Sequence, residues 1–271
     1  MPLQSWPSRV PCTLLLLLAV ACARAPIAWN APATSFGASG DSLVVDSEGH
    51  ARLMPAVPAA PPADSELDGS VCPGSVRVAA VGAGRVAVWW RPRADGSAAL
   101  LLARTGAAGD SAWSAPVAID SVDRLTIGCD RPPPTVAIHP LSGFVHVVYA
   151  LESPAGPGLF YAHSMDGGRV FEQPRPIVYG ERRALSAIAL AGDTVAVVYE
   201  DPNSPRGDIR LALSFDQGHT FGPRLAASPD DARAGAPLVA LRPPHIAVAW
   251  AVQAASANGS AQRAVRVGRV H

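Results

Sequence analysis

Four short apolar runs, each ending in an aromatic residue, set the rhythm of this chain: Val86-Ala87-Val88-Trp89-Trp90, Val145-His146-Val147-Val148-Tyr149, Val195-Ala196-Val197-Val198-Tyr199 and Ile246-Ala247-Val248-Ala249-Trp250. The steps from Trp90 to Tyr149, Tyr199 and Trp250 are 59, 50 and 51 residues. Runs this short, rich in β-branched residues and bounded by Gly, Pro and Asp, predict strands buried on both faces. Each is preceded by another apolar segment (76–81, 134–139, 186–190 and 237–241), and the first three are followed by another (100–102, 159–161 and 209–213). No stretch after residue 72 holds a helical period for three turns. The chain therefore reads as all-β. Four-stranded antiparallel units in tandem predict a β-propeller over residues 72–271 with about four recognisable blades, since a blade cannot bury its faces without stacking on its neighbours.

Two of the repeats run from their third strand into the same turn, Ser164-Met165-Asp166-Gly167-Gly168-Arg169-Val170-Phe171 and Ser214-Phe215-Asp216-Gln217-Gly218-His219-Thr220-Phe221. Both read S-x-D-x-G-x-(T/V)-F, with the Asp 17 residues after the strand aromatic and a proline following at Pro174 or Pro223. Such a turn needs an acid to accept backbone N–H groups, a glycine at positive φ and an aromatic to plug the gap beneath. The pattern resembles the Asp-box, or BNR, repeat of the sialidase superfamily. Ser164, Asp166, Gly168, Phe171, Ser214, Asp216, Gly218 and Phe221 are then structural, their acids consumed in holding the turns. The family fold has six blades, so four imply a small, open or incomplete ring. A decayed copy of the turn lies around Ala107. The last repeat ends before a fourth strand, and the hairpin-like segment 42–57 is expected to fill that gap.

The resemblance also implies a functional rim, built from the loops that lead into each first strand and those that join strands two and three. The first group carries Arg131, Arg183 and Arg233, and the second Glu152, Glu200 and Asp201. Sialidases grip a sugar carboxylate with three arginines and use an aspartate acid/base with a glutamate-activated tyrosine. The stretch from Pro134-Thr135-Val136 to Gly143 is similar to the family's second-blade opening. The first arginine of the triad is missing, because Val71-Cys72-Pro73 stands where an aromatic-Arg-Ile-Pro motif belongs. The rim arginines either converge on an anion or pair with Glu181, Asp230 and Asp231 on a solvated surface. The expectation is a non-catalytic domain that binds a glycan or an envelope protein; the alternative is an exo-sialidase-type glycoside hydrolase acting on terminal acidic sugars.

The amino terminus adds a compartment. An apolar block from Leu14 to Val20 is too short to span a bilayer and reads as a signal segment over 1–21. Ala19-Val20-Ala21-Cys22 resembles a bacterial lipobox, which makes Cys22 the lipidation candidate, with free secretion as the alternative. Membrane contact is then through the lipid alone. Residues 22–70, with Pro55, Pro58, Pro61 and Pro62 among alanines, read as a tether.

Composition narrows the remaining choices. Across 271 residues, 22 basic and 22 acidic groups cancel, and only 16% are charged, which excludes a general nucleic-acid binder. Apolar residues make up 49%, enough for a core and against whole-chain disorder. All the basic residues are arginines and none forms a basic run, which reads as the codon bias of a GC-rich bacterial genome. Cys72 and Cys129 each precede the first strand of a repeat and are a disulfide candidate, against two buried thiols. The seven histidines are scattered and match no zinc motif, so neither metal nor cofactor is expected.

Overall fold

The structure is a computed structural model that describes residues 26–38, 40–56, 62, 71–105, 112–230, 233–252 and 260–271. The signal segment, Cys22, parts of the tether (residues 23–25, 39, 57–61 and 63–70), the degenerate turn near Ala107, and Asp231 lie outside the described residues. Strands in chain order are β1 (Ile27–Trp29), β2 (Ala33–Ala38), β3 (Ser42–Val45), β4 (Ala51–Met54), β5 (Arg77–Val81), β6 (Gly84–Pro92), β7 (Ala98–Arg104), β8 (Val117–Asp120), β9 (Thr135–Ile138) and β10 (Val145–Ser153). They continue as β11 (Gly156–Ser164), β12 (Arg175–Tyr179), β13 (Ser186–Ala191), β14 (Thr194–Glu200), β15 (Ile209–Ser214), β16 (Leu225–Ala226), β17 (Gly235–Arg242), β18 (His245–Ala251) and β19 (Ser260–Val270). No helix occurs among the described residues.

The strands form antiparallel sheets in the order β5-β6-β7-β8, β9-β10-β11-β12, β13-β14-β15-β16 and β17-β18-β19, each a propeller blade counted one to four. Innermost strands neighbour one another in the sequence β5, β9, β13, β17, and then β3. The apolar runs are the second strands, and their period-two alternation sends successive residues into different inter-blade cores. Val86, Val88 and Trp90 of β6 pack with Val145, Val147 and Tyr149 of β10, while Ala87 and Trp89 face the other side of blade one. Val148 joins Val195, Val197 and Tyr199 of β14 between blades two and three. Ala196 and Val198 meet Ile246, Val248 and Trp250 of β18 between blades three and four. Both faces of each run are dry, which is why these stretches are continuous apolar sequence instead of alternating.

Closure of the last blade differs from expectation. Its outer edge is covered by β1 and β2, which both pair antiparallel with β19, Ile27 opposite Val270 and Ala33 opposite Val265. Residues 42–54 of the 42–57 segment do form a hairpin, β3 with β4, but as a separate two-stranded sheet; Val57 lies outside the described residues. Its Leu43 and Val45 pack on Ala247 and Ala249, so it stands as a short fifth blade against the outer face of blade four. The long β19, with eleven residues, needs a long partner; the four-residue β3 is too short to supply it.

Cys72 and Cys129 are joined by a disulfide, with Cα atoms 5.1 Å apart. It ties the segments leading into blades one and two across a separation of 57 residues, worth roughly 4 kcal/mol on a chain-entropy basis. At the opposite end of the blades the two S-x-D-x-G turns share one geometry. Ser164 Oγ accepts from Gly168 N at 2.8 Å and donates to Asp166 Oδ1 at 2.7 Å, and that oxygen also accepts from Arg169 N and Val170 N. Ser214, Gly218, Asp216 and Thr220 N repeat the arrangement, with Thr220 Oγ1 added. Gly168 and Gly218 take φ of 86° and 91°. Phe171 closes the core between blades one and two, and Phe221 that between blades two and three.

Candidate functional site

Of the three arginines singled out on the rim, Arg131 is not available to a ligand. Its Nη1 lies 2.6 Å from Asp123 Oδ2, with both side chains essentially without solvent exposure. Nε donates to the Gly128 carbonyl at 2.6 Å, Nη2 to that of Leu125 at 3.0 Å, and the guanidinium sits 5.1 Å from the Trp90 ring centre. A guanidinium with its donors committed to a buried carboxylate and carbonyls braces its own loop. Glu152 also stands apart: it is anchored through its backbone N–H to Asp123 Oδ1 and does not line the cleft described next.

Arg183, Arg233, Glu200 and Asp201 do come together. They line a cleft of about 730 Å³ between blades three and four, at the end of the ring that carries the loops into each first strand. Arg182, Arg206, Gly207 and the Ala234–Ala236 stretch form part of its wall. Glu200 ends β14, and its position follows from that strand's register: Oε2 accepts from Leu185 N at 3.1 Å and Oε1 from Ala236 N at 2.8 Å. The carboxylate thus pins the chain leading into blade three to that leading into blade four. Gly207, at φ 87°, presses on the Ala234 carbonyl, where a Cβ would come within 2.8 Å, so the blade-three loop seats on the blade-four segment. Asp201 is held by Arg210 Nε at 3.2 Å and by Asn203 N at 3.0 Å.

The cations are less committed than the anions. Arg182 donates to the Ser204 carbonyl, and Arg183 to the carbonyl and carboxylate of Asp130, an exposed pair. The exposed guanidiniums of Arg206 and Arg233 have no hydrogen-bond or ion-pair partner among the described residues. No tyrosine lines the cleft. Tyr199, beside Glu200, is buried in the core, and burial pushes its hydroxyl up to about 12. Tyr149 donates to Asp120 at 2.8 Å, and burial, then the Asp120 charge, raises it further. Among the described residues lining the cleft, the guanidinium forks can hold an anion, and the carboxylates of Glu200 and Asp201 are already hydrogen-bonded.

A second cluster lies at the other end of the blades. His163 of β11, Glu172 and His219 bring one donor atom each within 4.8 Å of one another, a set able to hold a metal. The sequence foresaw no metal site there, because the three positions belong to two blades and fit no short motif. One signal was present. In the repeated turn, His219 occupies the position of Arg169, and both side chains donate to the carbonyl of the turn's Asp, Arg169 at 2.7 Å and His219 at 2.6 Å.

No family model matches the chain, and no curated protein matches it. Among solved structures it is similar to an α-L-arabinofuranosidase from Podospora anserina, with TM-score 0.45 and 14% identity over 76% of this chain and 67% of that one. It is similar to a xylan β-1,4-xylosidase from Bacillus halodurans, with TM-score 0.47 and 11% identity over 84% and 52%. A Trypanosoma rangeli sialidase gives TM-score 0.46 and 13% identity over 82% and 39%, so this chain spans about half the xylosidase and less of the sialidase. The likeness is one of partial shape and brings no residue roles with it.

Proposed function

We propose that this protein is an exported, lipid-anchored propeller of the cell envelope that binds a carboxylate-bearing glycan in the cleft between blades three and four and does not cleave it. The observation that carries this reading is the charge inventory of the cleft. Glu200 and Asp201 are engaged by backbone N–H groups and Arg210, whereas Arg206 and Arg233 keep their donors open among the described residues. Glycoside hydrolysis needs a carboxyl group free to give a proton and a second group to act from the opposite face. Each described carboxylate lining the cleft has a structural task, and no tyrosine lines it. A planar guanidinium pair is suited to a sugar carboxylate.

Calorimetric titration with sialyllactose and with lactose tests the reading. The acidic sugar is expected to bind and the neutral one not. Arg206→Ala and Arg233→Ala should each weaken binding about ten- to hundredfold, the worth of one charge-assisted hydrogen bond. Equal affinity for both sugars would sink the cleft assignment. Release of fluorophore from a sialoside, abolished in Arg233→Ala, would replace binding with hydrolysis. The anchor is tested separately, by Cys22→Ser moving the protein from the membrane to the soluble fraction.

A further inference from the structure

We propose that His163, Glu172 and His219 form a three-ligand site for a divalent transition-metal ion, zinc foremost, at the blade-two/blade-three junction on the face opposite the arginine cleft. His163 Nε2 is the first reason. The residue is 2% exposed, and this nitrogen is buried with no hydrogen-bond partner among the described residues. Buried polar atoms in native proteins are nearly always satisfied, so a bare one aimed at a carboxylate oxygen 3.5 Å away points to a missing bridging group.

His219 is the second. Its Nδ1 lies 2.6 Å from the Asp216 carbonyl, which can only accept, so the ring proton sits on Nδ1 and Nε2 turns its lone pair inward. That nitrogen is 4.0 Å from the same Glu172 Oε1. A histidine whose other nitrogen donates to a backbone carbonyl has the tautomer and orientation of a metal ligand. Glu172 divides its two oxygens: Oε2 takes Arg175 Nη2 at 3.1 Å, and Oε1 faces the two imidazoles. Arg175 also donates to the His219 carbonyl and so braces both ligands. Its charge weakens the site without occupying it.

Geometry and ligand chemistry agree with zinc. Bonds of about 2.0–2.2 Å in tetrahedral array put ligand atoms roughly 3.3–3.5 Å apart, and here the Glu172 oxygen stands 3.5 and 4.0 Å from the two nitrogens. His219 and Glu172 are partly exposed, so small side-chain rotations close the triangle around a buried, fixed His163. Two imidazoles and one carboxylate, with the fourth position toward solvent, suit zinc and its neighbours better than calcium or magnesium.

The test is zinc titration of the purified, untagged chain in competition with a chromophoric chelator, with cobalt(II) spectra as a second readout. One equivalent per chain is expected, with visible bands for cobalt. His219→Ala and Glu172→Gln, both at partly exposed positions, should each weaken zinc by at least about tenfold and bleach the cobalt bands. His163→Gln is read only if its near-ultraviolet circular dichroism is native. Absence of a stoichiometric zinc equivalent, or one that survives either surface substitution, overturns the proposal. So does a shift of the His219 titration in Glu172→Gln with no change in zinc binding, which would make the cluster a protonated ion pair.

Discussion

Replacing Arg131 with methionine separates a bracing role from a binding role. The substitution leaves an unbranched apolar side chain at this position and removes the guanidinium that lies over Trp90 and 2.6 Å from Asp123. Asp123 then stays buried with three backbone donors, Ala98 N at 3.0 Å, Glu152 N at 3.1 Å and Leu125 N at 3.2 Å, but no counter-charge. Breaking one side of a buried pair costs about 3–5 kcal/mol, and these remaining donors place the loss near 3. For a domain of this size that is roughly 6–12 °C in Tm. Arg183→Met is the matched control, because its pair with Asp130 is exposed on both sides and worth about 0–1 kcal/mol. Adding Asp123→Leu to Arg131→Met should recover only part of the loss, since the carboxylate also holds those three N–H groups. Urea unfolding followed by tryptophan fluorescence, with the disulfide intact, measures each. A loss below about 1 kcal/mol in Arg131→Met, accompanied by weakened glycan binding, would return Arg131 to the ligand-binding rim.

Two further outcomes follow from the repeated turns. Gly168→Ala and Gly218→Ala impose similar backbone strain, but a Cβ at Gly218 would lie 1.7 Å from Tyr161 Oη, whereas at Gly168 the nearest atom is a flexible Leu102 methyl at 2.9 Å. Gly218→Ala should therefore cost more, by about 1 kcal/mol or above, and equal midpoints in thermal unfolding would contradict the packing described. Bonds from Val170 N, then Ser164 and Arg169 N, outweigh desolvation and hold the Asp166 carboxyl below its ordinary 3.8. A lowered folded value means its stabilisation is complete above 3.8 and is lost as pH falls through the lower value, so Asp166→Asn should show a shallower acid decline than the parent. Parallel acid-unfolding curves for the two proteins would show that the charge of Asp166 does not couple to folding.

The blades were legible because their second strands are dry on both sides: a run such as Val195-Ala196-Val197-Val198-Tyr199 has no other stable placement, and its repetition sets the phase. The turns were legible for a similar reason, each residue type having one geometric task. The closing strands were not. Ile27–Trp29 and Ala33–Ala38 are short and lie partly open, with Phe36 73% exposed, so their pairing rests on backbone hydrogen bonds that leave little trace in composition. Leu43, Val45 and Leu53 carry a stronger pattern because they face the core of blade four, and that pattern drew the closing role to the wrong segment. On the rim, charge picked out four residues that line one cleft but could not tell a cation sealed beneath Trp90 from one at the surface. Arg131 and Arg233 look alike until burial separates them. Nor could spacing announce His163, Glu172 and His219, which meet only where two blades stack.

The pairing of Ile27 with Val270 makes the first described strand and the last one neighbours. During synthesis, β1 has no partner until Val270 has been made, so the blade it belongs to is completed only after the other three blades have emerged. Long-range pairing of this kind exacts its loop-closure entropy before returning any contact. β1 and β19 thus work as a clasp, and a substitution that breaks the register of β19 reaches the fold as directly as one in β1.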